Sequence, residues 1–352
     1  METSLPGLAR HPRVQLSHRP TPLEPAPRLG EKLGVNLWIK RDDCTGLAMG
    51  GNKARQLEYY FGQAVEANAD TVLITGAVQS NFVRMAAAAA RRLGMEIHIQ
   101  LEERVKTNNA TYKTSGNVFL NRLMGAHLSH FPVGEDEAAA DASLDEKARA
   151  LQAEGKQPFV IHLGLDSAPI GALGYVAVAE ELLGQFESGE FVPDAVVVAS
   201  GSALTHCGLL VGFRALGSGL PVYGACVRRP KAEQTERVCQ RSREVAALLD
   251  VPWGEQAGAV GGDDDVLITD ATYGPSYGKL NPPTAQAIKD AAELEGLIVD
   301  PVYTGKSLAA VGALIESGEL SHGQNVLFVH TGGHPSVFAY QPDIEQWLES
   351  EG

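Results

Sequence analysis

The sequence predicts an α/β protein whose mostly parallel sheets are covered by helices on both faces. Short apolar runs alternate with longer helix-like stretches along most of its 352 residues. That is the pattern of strand–helix–strand units. Polar, glycine-containing signatures fall where such a strand hands over to its helix, the place where open parallel sheets bind ligands. The length leaves room for two domains.

The predicted strands are Asn36–Lys40, Thr71–Thr75, Glu96–Leu101, Phe159–His162, Ala195–Ala199, Pro221–Cys226 and Asn325–His330. Each is short and apolar at its centre, with turn-forming or polar residues nearby. The predicted helices are Ala54–Ala67, Asn81–Leu93, Ser143–Glu154, Gly171–Phe186, His206–Leu216, Ala232–Leu249, Pro283–Glu295 and Lys306–Ile315. The proline-rich segment up to Gly34 reads as an extended lead-in. Gly134–Asp141 reads as an acidic, solvated loop, and Gly258–Asp265 as a second loop rich in glycine and aspartate. There is no internal repeat.

The net charge of −14 argues against a nucleic-acid partner, which needs a basic face. Cys44, Cys207, Cys226 and Cys239 are scattered and form no Cys-x-x-Cys pair, so they read as reduced thiols of a cytoplasmic protein. The opening Met1–Pro6 has no basic region followed by an apolar core, so no signal peptide is expected. No apolar run approaches the roughly 18 residues of a membrane helix. His127-Leu128-Ser129-His130 lacks an accompanying cysteine or glutamate pattern, and no metal is expected.

The segment that says most about chemistry is Gly50-Gly51-Asn52-Lys53, which leads from a strand into a helix. A lysine at the mouth of a helix suits Schiff-base chemistry if its surroundings lower its pKa. The paired glycines keep the backbone thin enough for a flat ring to lie against it. Gln79-Ser80-Asn81 opens an alanine-rich helix, where unpaired amides suit a carboxylate. Taken alone, Ser80 or Asn81 reads equally as a plain N-cap. Gly201-Ser202-Ala203-Leu204-Thr205 follows the most apolar strand and reads either as a phosphate cup or as a tight strand–helix turn. Gly305-Lys306-Ser307 resembles the tail of a nucleotide-binding loop, but Asp300 stands where the first glycine is required. No Gly-x-Gly-x-x-Gly fingerprint follows an early strand. Tyr277 and Tyr303 lie in glycine-flanked loops, and His334 follows the last strand as a loop or site residue.

Together these motifs resemble the D-cysteine desulfhydrase and 1-aminocyclopropane-1-carboxylate deaminase family, pyridoxal-phosphate enzymes of the tryptophan-synthase-β-like fold. The resemblance runs from about Pro12 to Gln346. It rests on Lys40-Arg41-Asp42-Asp43 with Gly50–Lys53, on Gln79–Asn81, Gly171–Tyr175 and Asp300–Lys306, and on His330–Gly333. It implies that Lys53 carries the cofactor, with Gly201, Ser202, Ala203, Leu204 and Thr205 around its phosphate. Asn52 or Asn81 would meet the ring oxygen, and Thr304 and Thr331 would lie near the pyridine nitrogen. Gln79, Ser80 and Asn81 would hold the substrate carboxylate, with Phe82 and His334 shaping the pocket. Lys53, Ser80, Tyr277 and Tyr303 would be the catalytic set.

The resemblance further implies a large domain of residues 1–55 plus 170–352, a small domain of residues 56–169 and a homodimer. The deaminase branch has a glutamate at position 304. Thr304 cannot keep the ring protonated, which favours β-elimination over ring opening. The expected substrate is a small amino acid. D-Cysteine releasing sulfide stands first and L-cysteate releasing sulfite second, then ring-opening deamination, then cofactor binding without turnover. The chain departs from the family pattern at Phe82, Leu204, His334 and the Gly164–Ala168 loop containing Asp166.

Overall fold

The computed structural model describes residues 3–187, 189 and 191–351. Met1 and Glu2 of the opening segment, and the outermost domain limits 1 and 352, lie outside the described residues.

The strands are β1 (Leu23–Pro25), β2 (Asn36–Lys40), β3 (Thr71–Ala77), β4 (Glu96–Glu102), β5 (His127–Phe131), β6 (Pro158–Ile161), β7 (Ala195–Ser200), β8 (Val222–Cys226), β9 (Leu267–Thr269) and β10 (Asn325–Val329). They form a six-stranded sheet in the order β1-β2-β10-β7-β8-β9 and a four-stranded sheet in the order β5-β4-β3-β6. Every pairing is parallel except the edge pair β1–β2.

Alternation along β10 explains how the larger sheet is covered twice. Val326 and Phe328 pack with Leu37, Ile39, Val197, Leu308 and Val311 on one side. Leu327 and Val329 pack with Val196, Val198, Leu209 and Phe213 on the other. The smaller sheet is asymmetric. Ile97, Ile99 and Leu101 of β4 face the Asn81–Arg92 helix through Val83, Ala86 and Ala87. On the other face Gln100 bonds Ala140 and Ser143 of the Glu137–Ala153 helix. Glu102, two residues further along β4, bonds Thr75.

Most predicted elements recur within a few residues, and the differences have local causes. The lead-in is not simply extended: it holds a helix at Pro6–Ala9, strand β1 and a helix at Pro27–Leu33. Proline at the first helical turn costs no hydrogen bond, so prolines start these helices. The acidic segment is not wholly a solvated loop. A helix begins at Glu137, six residues before the expected start, because the Asp136 carboxylate caps the Ala139 amide at 2.9 Å. Strands β1, β5 and β9 and the helices Ala110–Thr114, Gly116–Leu123, His334–Ala339 and Gln341–Glu351 were not expected.

The 55/56 boundary falls inside the Lys53–Glu66 helix, which packs against both Asn81–Arg92 and Leu173–Phe186. Among the described residues no helix is long and apolar enough to cross a membrane.

Phe328 is wholly buried in the larger sheet. Phe328→Ala is expected to cost about 3–5 kcal/mol, read as a lower urea midpoint at unchanged slope. A loss below about 1 kcal/mol would show that this layer is not close-packed.

Candidate active site

The turn from β2 to the Lys53–Glu66 helix is built on close backbone approach. The Thr45 hydroxyl accepts from the Gly51 amide at 2.8 Å and donates to the Gly51 carbonyl at 2.9 Å. Gly50 has φ +68°, and a Cβ there would lie 1.7 Å from the Asp43 carbonyl oxygen. The Asn52 amide then donates to the Thr331 carbonyl at 3.0 Å, tying the turn to the end of β10.

Lys53, the first residue of its helix, lines the cavity formed there. Its Nζ lies 3.3 Å from Gln56 Oε1 and 5.7 Å from the centre of the Phe82 ring. Among the described residues no carboxylate pairs with it. Burial lowers its pKa from 10.5 to about 8.

Ser80 caps the Asn81–Arg92 helix, its Oγ accepting from the Val83 amide at 3.4 Å. The N-cap reading therefore holds, and Ser80, Asn81 and Phe82 also line the cavity. Asn81 is fixed by Asn117 Nδ2, which donates to its Oδ1 at 3.1 Å. Gln79 does not line the cavity. Its amide donates to the carbonyls of Tyr112 and Ser115 and accepts from the Asn117 amide, so it holds the 112–117 segment.

After β7 the chain turns through Ala203, whose φ of +77° is rare for a residue with a side chain. Arg229 donates to the Gly201 carbonyl at 3.2 Å and Arg237 to the Ser202 carbonyl at 3.4 Å, so these carbonyls are already engaged. Among the described residues the amides of Ser202, Ala203, Leu204 and Thr205 have no acceptor within the protein. Unpaired amides at the positive end of a helix suit a phosphate. The Thr205 hydroxyl accepts from Asn52 at 2.8 Å and Gln56 at 2.9 Å. Gly201, Ser202, Ala203 and Thr205 line the inner cavity, while Leu204 lines the chamber beside it.

Tyr277 and Tyr303 share a 2.7 Å hydrogen bond between hydroxyls. Tyr303 lines both chambers and Tyr277 the outer one. Burial raises the pKa of both. The loop before Tyr277 is held by Lys306, which donates to the carbonyls of Tyr273 (2.6 Å) and Ser276 (3.3 Å).

Thr331 lines the inner cavity and Thr304 does not. The Thr304 hydroxyl accepts from the Asp300 amide at 2.6 Å and donates to Asp300 Oδ1 at 2.7 Å. His334 also lies off both chambers. Its Nε2 is 3.8 Å from Asp43 Oδ2, and its ring lies 5.3 Å from that of His330. Asp166 is exposed and lines neither chamber.

Sequence reasoning missed the charged wall of the outer chamber: Arg104, Arg228, Arg237 and Glu137. Glu137 pairs with Arg228 (2.6 Å), Arg229 (3.0 Å) and Arg237 (3.2 Å). Burial pushes its carboxyl up, but the three arginines outweigh this and hold it at about 2. Arg104 follows the carboxyl end of β4, a position the strand-end rule marks.

The fold and this cavity define an α/β enzyme built to hold an anion near an amine of lowered pKa. A model of the family described as "Pyridoxal-phosphate dependent enzyme" matches residues 14–332. A D-cysteine desulfhydrase of Klebsiella pneumoniae is 41% identical over 97% of this chain and 100% of its own. One of Salmonella typhi is 40% identical over 96% of this chain and 98% of its own. The crystal structure of an ACC deaminase homologue superposes with a TM-score of 0.85 at 33% identity, covering 98% of this chain and 99% of the other. The Solanum lycopersicum threonine deaminase, at TM-score 0.65 and 17% identity over 99% and 88%, shares the fold. The chain belongs to the pyridoxal-phosphate-dependent enzyme family. The residues present fit that cofactor, since a lysine amine and a set of unpaired phosphate-binding amides open onto one cavity.

Reloading of apoprotein with pyridoxal 5′-phosphate is expected to speed up as pH rises, with an inflection near the Lys53 pKa of about 8. The sign follows because only the neutral amine attacks an aldehyde. An inflection close to the ordinary lysine value would show that the amine is fully solvated. Gly50→Ala is expected to lower stability by roughly 2–3 kcal/mol in thermal denaturation, since it imposes a positive φ and a clash with Asp43.

Proposed function

We propose that the protein is a lyase that eliminates a sulfur substituent from the Cβ of a small amino acid, with D-cysteine as its first substrate. One water is consumed, and pyruvate, ammonium and sulfide are released. The observation that carries this reading is the desolvated, unpaired Lys53 amine in a cavity shared with the Tyr303 hydroxyl. The names carried by the 40–41% identical relatives support it.

When bound, pyridoxal 5′-phosphate supplies an electron sink for charge that develops at the α-carbon. The amides of residues 202–205 and the Thr205 hydroxyl would hold its phosphate, with Lys53 at its aldehyde and Asn52, Asn81 and Thr331 around its ring. The start of the Asn81–Arg92 helix, with Ser80 and Asn81, receives the substrate carboxylate. Lys53, as a neutral amine, takes the α-proton. The Tyr277–Tyr303 pair stays protonated because burial raises both hydroxyls, so it has a proton to give the departing sulfur.

In this reading residues 56–169 act as the smaller domain and the remainder as the larger, in a cytoplasmic homodimer. A second reading, L-cysteate releasing sulfite, is favoured by the arginines of the outer chamber.

The purified protein is expected to absorb near roughly 410 nm, to lose that band in a Lys53→Ala variant, and to release pyruvate from D-cysteine. Absence of pyruvate from every sulfur-bearing amino acid of either hand would end the lyase reading.

A further inference from the structure

Arg104 stands at the carboxyl end of the smaller sheet, where its side chain reaches the outer chamber beside Lys53, Ser80, Tyr277 and Tyr303. Its guanidinium is locked from behind. Nε and Nη2 donate to the two oxygens of Glu102, at 2.8 and 2.9 Å. Glu102 is fully buried, and its Oε1 also accepts from the Thr75 hydroxyl at 2.8 Å. This chain of bonds fixes the plane of the fork. Among the described residues it leaves Nη1 without a partner, on a side chain only 7% exposed. A positioned cationic donor that opens to the chamber is held ready for an acceptor.

The same chamber holds more positive charge. Arg228 and Arg237 line it, and among the described residues Glu137 is the one carboxylate that does. Glu135 also bonds Arg228, but that carboxylate is 60% exposed, where water screens it. An ordinary thiol or hydroxyl substituent needs no such surroundings. A charged substituent does, because leaving water without a counter-charge is costly.

We propose that Arg104 is a specificity-determining residue: its Nη1 receives a negatively charged substituent on the substrate Cβ, so that the site takes amino acids carrying a β-sulfonate as well as those with a neutral β-substituent. This deepens the lyase reading and rests on it. The contact serves turnover as well as binding. The carbon–sulfur bond breaks with its electron pair leaving on sulfur, and with cysteate the departing group is sulfite. The carboxylate of the same substrate goes to the Ser80–Asn81 helix start, so the two anionic ends are held by different elements. His334, expected from the sequence to shape the pocket, lies beside Asp43 instead. The charge of Arg104 also opposes the rise of the Tyr277 and Tyr303 pKa values, consistent with its place beside that pair.

The test compares holoenzyme of wild type, Arg104→Met and Arg104→Lys on cysteate and on β-chloroalanine, each as both enantiomers, by pyruvate release. Arg104→Met is expected to lower kcat/KM for cysteate by about 100-fold and to change that for β-chloroalanine by less than about threefold. Arg104→Lys is expected to recover part of the cysteate loss, since it restores charge without the planar fork. Equal losses on both substrates would overturn the assignment and leave Arg104 a structural partner of Glu102. If wild type turns over neither of these nor D-cysteine, the lyase reading fails; if it turns over D-cysteine alone, that reading stands. Arg104 is then decided by titrating holoenzyme with cysteate and with alanine, followed by cofactor absorbance. A cysteate-to-alanine affinity ratio unchanged by Arg104→Met overturns the proposal, and a ratio reduced at least tenfold upholds it.

Discussion

Burial of the Lys53 amine without a carboxylate partner lowers its pKa to about 8. That leaves roughly a tenth of it neutral at pH 7, against well under a thousandth for an ordinary lysine. Two other deep cations, Lys40 and Arg55, are treated differently. Lys40 pairs with Glu181 at 2.5 Å, and Arg55 with Asp42 and Glu181 at 2.9 Å. Those pairs keep their charges and hold the Thr21, Asp42 and Glu181 region together. A carboxylate placed equally close to Lys53 would favour its protonated form and remove the nucleophile. The neighbours of Lys53 are instead an amide, Gln56, and a ring, Phe82. Neither carries a charge, so burial sets the direction of the shift.

The loops around that amine meet through close backbone approach. Gly332 has φ +91°, and a Cβ there would come within 2.7 Å of the Gly51 Cα, so two strand–helix turns approach closely where both are glycine. The phosphate-type cup uses a residue less suited to its conformation. Ala203 holds a left-handed φ, a strain of about 1–3 kcal/mol that survives only if surrounding bonds fix it. Arg229 and Arg237 supply them by gripping the adjacent carbonyls, and Glu137 in turn grips both arginines. Glu137 belongs to the helix that covers the smaller sheet, so the cup on the larger sheet is braced by the other sheet's helix.

Much of this was legible because strand–helix joints announce themselves locally. Gly50–Lys53, Ser80–Asn81 and Gly201–Thr205 each combine a strand end, small or polar residues and a helix start within a few positions. The arginine wall was not legible. Glu137 and Arg228 lie 91 residues apart, and an acidic run read alone looks solvated. Strand β5 was missed because His127 and His130 break its apolar pattern, and pairing with His98 to Glu102 of β4 makes it a strand. Gln79 and His334 were placed in the site by their position in motifs. Their side chains turn to the Tyr112–Asn117 segment and to Asp43, a choice made by partners remote in sequence. A motif fixes where the backbone passes; it does not fix where a long polar side chain finds its hydrogen bonds.

Thr304 shows how far a single position can be argued. Its hydroxyl is occupied in both directions by Asp300, whose carboxylate also accepts from the amides of Val302, Tyr303 and Thr304. That carboxylate is therefore spent on shaping the turn that presents Tyr303. Among the described residues that line the inner cavity there is no carboxylate at all. An acid in this wall would hold a proton on a pyridine nitrogen and deepen the electron sink, whereas hydroxyls and amides cannot. Ring opening of a cyclopropane has no good leaving group and needs the deeper sink. Departure of sulfur as sulfide or sulfite stabilises the electron pair on the leaving atom itself, so a weaker sink suffices. The same economy throws more of the work onto whatever receives the departing charge, and in this chain that wall is made of arginine.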